Sequence, residues 1–188
     1  TITGTDFTNV TGSYTTWTSA TLWRPDFTGA DLTGANFTSA TLTTATATGA
    51  NLTGANLKST TLTSLSAVGA TLDGASLVQT SLTGAVLNGA SMVGVTGRYA
   101  SLANATIDGA DLTNANLVWS NFDNATAWGV NLTGASITDS SFNRTKFEGA
   151  DLAGATFTRS KMGNVNLRAA NLTGADVSYT DMTAANLW

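Results

Sequence analysis

The sequence predicts a repeat fold, a stack of short identical units in place of helices or a flat sheet. Two observations carry the prediction. Every fifth residue of the 188 is apolar, from Ile2, Phe7, Trp17 and Leu22 to Met182 and Leu187, with Gly12, Ala47, Ala67, Gly97 and Ala127 as exceptions. The residue two before each of these centres is small, most often Ala, as at Ala30, Ala35 and Ala50. A spacing of five fits neither a helix, with a period of about 3.6, nor a strand, with a period of about 2. A fixed internal period is the mark of a solenoid or array.

The remaining positions of the unit are as regular. Asp, Asn, Thr or Ser precedes the centre (Asp31, Asn36, Thr41, Asn51, Asn56), Thr usually follows it, and the fifth residue is often Gly. The blocks Ala30-Asp31-Leu32-Thr33-Gly34 and Ala50-Asn51-Leu52-Thr53-Gly54 show the whole unit. This pattern resembles the pentapeptide-repeat family, whose unit is A(D/N)LXX, and the resemblance covers essentially all of residues 1–188 as one domain. It implies an all-β right-handed quadrilateral β-helix, with four repeats or twenty residues per coil and about nine coils.

On that fold each unit makes one side and one corner of a square. The centre and the small residue before it point inward, and the flanking polar residues face solvent. Coils stacked about 4.8 Å apart give a rod about 45 Å long. Each enclosed Leu or Phe contributes about 1.5–3 kcal/mol before chain entropy is subtracted.

Folding back every twenty residues sorts the corners into columns. Two are rich in glycine, one running from Gly29 to Gly149 and the other from Gly34 to Gly174. The other two carry Arg24, Ser64, Asn104 and Asn124, and Ser39, Gln79, Tyr99 and Trp119. Glycine at a fixed turn position predicts positive φ and type II-like turns in its columns, and a different turn elsewhere. Gly97, at a core position, predicts a cavity or a distorted backbone. Ala47, Ala67 and Ala127 predict voids filled by neighbours such as Leu65 or Phe122.

Composition narrows the function. With no Cys and no His, thiol chemistry and the commonest general base and metal ligand are absent. Charged residues make up 11% and the net charge is −4, which excludes a basic nucleic-acid binder. No apolar run approaches the roughly 20 residues of a membrane helix. Long loops that would build a cleft are missing, so the reading is non-catalytic, with no cofactor and no metal. A repeat centre already stands at Ile2, behind Thr1, which reads as a trimmed or processed chain or a piece of a longer one.

Exposed apolar side chains are the first interaction candidates. Tyr99 and Trp119 are twenty residues apart and therefore stack at one corner, and Trp128 follows the undersized centre Ala127. Either these rings meet a protein partner or they fold over the gaps at Gly97 and Ala127. The basic C-terminal quarter (Arg144, Lys146, Arg159, Lys161, Arg168) reads as a salt-bridged surface with Glu148 and Asp151. The Met182–Trp188 coil, with Leu187 and Trp188, reads as an end-to-end dimer contact.

The family resemblance implies a second role. Some pentapeptide-repeat proteins protect DNA gyrase from quinolones as acidic rods that occupy its DNA site. Asp31, Asp73, Asp111 and Asp151 make a mildly acidic stripe on one face here. Duplex DNA carries a charge every ~1.7 Å of axis, so four carboxylates imitate it poorly. Stacked T-x-T rows at Thr41–Thr43, Thr61–Thr63 and Ser81–Thr83 suggest a third class, ice binding, but Trp23 and Ala103 interrupt them.

Overall fold

The computed structural model describes residues 2–188; Thr1 and the side chain of Ile2 lie outside the described residues. The chain winds into a four-sided parallel β-helix. Three short strands, β1 (Ile2–Thr3), β2 (Thr21–Trp23) and β3 (Thr41–Thr43), pair in parallel, with Leu22 opposite Leu42. Parallel bridges twenty residues apart continue the pattern on all four sides, from Asp6 opposite Asp26 to Asn166 opposite Asn186. Centres and the small residues before them are buried throughout the middle of the rod; Leu72, Leu82, Phe122, Ala75 and Ala125 have no exposed surface.

The five-residue unit follows from where each N–H finds an acceptor. The centre donates to the next coil (Leu32 N–H to Asn51 O, 2.7 Å), as does the corner (Gly34 N–H to Thr53 O, 2.8 Å). The residue before the centre donates to the previous coil (Asp31 N–H to Val10 O, 2.9 Å), and the small residue closes the turn (Ala35 N–H to Leu32 O, 3.0 Å). Only the N–H after the centre is left over, and the side-chain oxygen of the preceding Asp or Asn accepts it (Thr33 N–H to Asp31 Oδ1, 3.1 Å; Thr53 N–H to Asn51 Oδ1, 3.1 Å). Asp and Asn therefore precede the centre because a short acceptor is needed there.

Where Ser or Thr precedes the centre, an acid in the coil below can supply that acceptor. Val93 donates to Asp73 Oδ1 (3.0 Å), Trp128 to Asp108 Oδ1 (2.9 Å) and Asn143 to Asp123 Oδ1 (2.8 Å).

The corners correct the expectation of two turn types. Every fifth residue from Gly4 to Ala184 has positive φ, between 54° and 71°, at all four corners alike. Arg24, Tyr99, Trp119 and Arg144 adopt the same left-handed backbone as the glycines. The ladder bonds on both sides of each corner hold it there, at about 1–2 kcal/mol for a side chain that prefers the right-handed region.

Gly97 produces no distortion. Its N–H keeps its ladder bond to Asn116 O at 2.8 Å, and the side chains of Leu77 and Leu117 close over the missing one, so that a Cβ at Gly97 would lie 2.5 Å from Leu117 Cδ2. Beside Ala47 a cavity of about 20 Å³ remains although Leu65 lines it. Ala127 is fully buried.

The two ends of the rod differ. Phe7, Trp17, Phe27 and Phe37 stack or meet edge-on and fill the first coils. In the last coil Val177, Leu187 and Trp188 are exposed and Met182 is half-buried.

An aromatic and charged corner as the candidate functional site

One corner column carries the most distinctive chemistry. Reading along the rod it runs Gln79, Tyr99, Trp119, Asp139, Arg159, Tyr179, one residue per coil. The shared left-handed backbone aims each side chain outward, so residues twenty apart meet as pairs. Tyr99 and Trp119 stack with centroids 5.2 Å apart and planes 13° from parallel. Asp139 and Arg159 form a two-pronged ion pair, Nε to Oδ1 at 2.8 Å and Nη2 to Oδ2 at 2.7 Å. That contact holds the Asp139 carboxyl below the usual carboxylate range and raises the Arg159 guanidinium.

Arg98, which follows the short centre Gly97, lies over the Trp119 ring with Cζ 3.8 Å from its centroid and 5.1 Å from that of Tyr99. Trp119 remains 39% exposed and Tyr99 49%. Trp119 separates two shallow recesses. One, of about 330 Å³, is lined by Val78, Thr96, Gly97, Arg98, Asn116 and Val118. The other, of about 250 Å³, is lined by Asn121, Asp139, Ser141, Arg159 and Lys161. Trp119 thus flanks the Gly97 side of the rod without filling a gap in the core.

Behind this corner the small inward residues are Ser120, Ser140 and Ser160 where Ala is usual. Their hydroxyls donate to carbonyls of the previous coil, Ser120 to Gly97 O (2.8 Å), Ser140 to Leu117 O (3.1 Å) and Ser160 to Ile137 O (3.0 Å). Ser140 and Ser160 also accept from below: Ser120 N–H donates to Ser140 Oγ (2.9 Å), and Ser140 N–H to Ser160 Oγ (3.1 Å). A buried hydroxyl ladder supports the backbone from which Trp119 and Asp139 project.

The sequence pairs Tyr99 with Trp119 but gives no sign of Arg98 or of the serine ladder, and Arg159, expected opposite Glu148 or Asp151, meets Asp139 instead. The twenty-residue step that pairs Tyr99 with Trp119 also pairs Asp139 with Arg159. No periodic signal tells where a long side chain such as Arg98 lies.

The other candidates lie elsewhere. Trp128, 48% exposed, is on a different face with Lys146 Nζ 5.8 Å from its ring. Glu148 pairs with Arg168 at 3.6 Å. Asp151 instead accepts from Ala153 N–H (3.1 Å) and Asn171 Nδ2 (3.0 Å).

The acidic stripe is bonded to its own rod. Asp31 accepts from Thr33 and from Ser13 Oγ (2.8 Å), Asp73 from Ser91 Oγ (2.6 Å) and Val93 N–H, and Asp111 from Thr113 N–H (2.9 Å). The hydroxyl of Thr33, then that of Ser13, hold the Asp31 carboxyl below its ordinary range. Among the described residues no group of three or more metal-ligating side chains could hold a metal ion, and no helix is long and apolar enough to cross a membrane.

A parallel β-helix closed every twenty residues, with five-residue sides, defines a class of solenoid. The family model for pentapeptide repeats matches in eight copies over segments running from residue 18 to residue 188, and the chain belongs to that family of right-handed quadrilateral β-helices. No curated protein matches. Among solved structures the chain is similar to HetL, a pentapeptide repeat protein involved in heterocyst differentiation regulation from the cyanobacterium Nostoc sp. strain PCC 7120. The two are 24% identical with a TM-score of 0.52 over 98% of this chain and 90% of that one. It is also similar to QnrB1, a plasmid-mediated fluoroquinolone resistance protein, at 18% identity and a TM-score of 0.52 over 90% of this chain and 92% of that one. At these identities both likenesses concern the fold.

Proposed function

We propose that this protein is a non-catalytic binding or scaffold module that engages a protein partner through the Arg98–Tyr99–Trp119 corner. The observation that carries the reading is an exposed Trp stacked on a Tyr and capped by an Arg, held on a rigid backbone. These three residue types dominate the energetics of protein interfaces, and pre-ordered side chains lose little entropy on binding. The test is photo-crosslinking in host cells with a crosslinking residue at position 116, where exposed Asn116 lines the recess beside Trp119, or, as a control on another face, at position 53. The reading expects one defined partner from position 116 and none from position 53. Reconstitution should then show that Trp119→Asn weakens the purified pair by about tenfold or more. Equal yields from both positions, or unchanged affinity, overturn it.

A second reading, modulation of DNA gyrase by DNA mimicry, draws on the Asp31–Asp73–Asp111–Asp151 stripe. Its carboxylates recur once every two coils, about 10 Å apart, and each bonds to its own rod. That spacing is several times wider than the spacing of charge on a duplex. A supercoiling assay with and without a quinolone decides the matter, and no effect at large molar excess removes this reading.

A further inference from the structure

Trp119 is covered on one side only. Arg98 Cζ lies 3.8 Å and Tyr99 5.2 Å from the Trp119 centroid, and Arg98 lies only 5.1 Å from Tyr99. Points on opposite faces of the indole would be much farther apart, so both lie toward the preceding coil. The opposite face of the ring borders the recess of about 250 Å³ whose far wall is the Asp139–Arg159 ion pair. An apolar cavity of about 150 Å³ accommodates benzene, so one aromatic side chain and its stem fit.

The surroundings are cationic on a chain of net charge −4. Around the recess Arg98, Arg159 and Lys161 face Asp139, while Asp181, opposite Lys161 in the next coil, feels its charge without forming an ion pair with it among the described residues. A cation resting on one face of an indole draws on its π-density and leaves the other face better suited to a ring than to a second cation. The island is short. From Arg98 to Lys161 it spans three coil spacings, about 14 Å, and Asp176 and Asp181 follow in the next coil. A single nucleic-acid strand, with a phosphate about every 3.4 Å of duplex axis, would run on into those carboxylates.

We infer that the recess between Trp119 and Arg159 seats an aromatic side chain from an acidic peptide segment of a partner, its flanking carboxylates meeting Lys161 and Arg98. This rests on the protein-binding reading above and names the chemistry of the partner.

The probe is a synthetic peptide, acetyl-Glu-Asp-Tyr-Glu-Asp-amide, titrated into the ¹⁵N-labelled full chain while the indole N–H signals of its five Trp are followed. The Trp119 signal is the one missing from Trp119→Asn, a substitution the corner accepts because Asn104, Asn114 and Asn124 already occupy such corners. A saturable shift of Trp119 is expected, with Trp17 and Trp128 unmoved. Trp119→Asn and Lys161→Glu should each weaken binding by about tenfold or more, and Trp128→Asn by less than about twofold. The same peptide with Ala for Tyr, and a Tyr peptide flanked by Ser and Gly, should each bind at least about tenfold more weakly.

Absence of a saturable shift up to about 5 mM peptide, beyond the millimolar range of weak specific binding, overturns the inference. Equal binding of the uncharged Tyr peptide does the same, as does tighter binding of a ten-nucleotide oligo-dT, which would assign the corner to nucleic acid. Failure here with the crosslinked partner retained at position 116 refutes only the acidic-aromatic occupant. Loss of both refutes the protein-binding reading as well.

Discussion

Restoring the repeat at Gly97 should weaken the protein. By the period alone, Gly97 is a core position missing its side chain, and adding one should stabilise. In the folded coil a Cβ there would sit 2.5 Å from Leu117 Cδ2, 3.3 Å from Leu77 Cβ and 3.4 Å from Ala100 Cβ. Leu117 and Leu77 are fully buried, so neither can swing into solvent. Overpacking of this kind costs about 1–3 kcal/mol. The smaller entropy of the unfolded chain returns about 0.4–1 kcal/mol for Gly→Ala where the backbone allows it. It does, because φ at Gly97 is not positive.

Gly97→Ala should therefore lose about 1–2 kcal/mol. In a chain of this size that lowers the melting temperature by about 2–8 °C, read by thermal or urea unfolding followed by circular dichroism. Leu117→Val removes the clashing carbon, so the double variant should be more stable than the sum of the singles by about 0.5 kcal/mol or more. A melting temperature for Gly97→Ala at or above that of the parent, or strict additivity, would refute the packing argument.

Three further outcomes follow from the same geometry. Ser140→Ala should cost about 1–3 kcal/mol in urea unfolding, because it strands the buried N–H of Ser120. Ser120→Ala, whose hydroxyl only donates to Gly97 O, should cost about 1 kcal/mol.

Gly109→Ala should cost about 1 kcal/mol although no atom lies within 4 Å of the added carbon, since φ there is 64°; Gly109→Asn should cost less.

Stability should also depend on acid. Thr and Ser hydroxyls lower Asp6, Asp31, Asp176 and Asp181, and Arg159 lowers Asp139, in the folded state. A depressed folded pKa contributes stability above the unfolded value of about 3.9 and loses it as pH falls through the folded value. The melting temperature should be level from about pH 7 to pH 5 and fall below about pH 4. Asp31→Asn should shrink that fall while melting normally at neutral pH, as Asn51 already accepts the same bond.

The fold was legible because its cause is local and repeated. An apolar residue at Leu32, Leu52 and Leu72 and a small one at Ala30, Ala50 and Ala70 declare an inner surface too narrow for two large side chains per unit. The corners depart from their residues' backbone preferences for a physical reason. Preference alone would keep Trp119 or Arg24 out of the left-handed region, yet the ladder on either side leaves them no alternative. Asp31 and Asn51 looked like solvent-facing polar residues because the orphan N–H they serve appears only once the other four donors are assigned. Of the candidate corner, the stacked rings could be read by counting twenty. The position of Arg98 depends on rotamer choice around Gly97, which no count reveals.

The uniform corner backbone has a consequence for how such a molecule changes over time. Since one conformation receives Gly, Asn, Tyr, Trp, Asp or Arg alike, each corner is an interchangeable socket at a fixed address along a scale of about 4.8 Å divisions. Duplicating or deleting a twenty-residue turn slides the aromatic corner by one division relative to everything beyond it, leaving its own surroundings intact. Reach and recognition can then be adjusted separately, as the marks on a ruler can be repainted without recutting the wood.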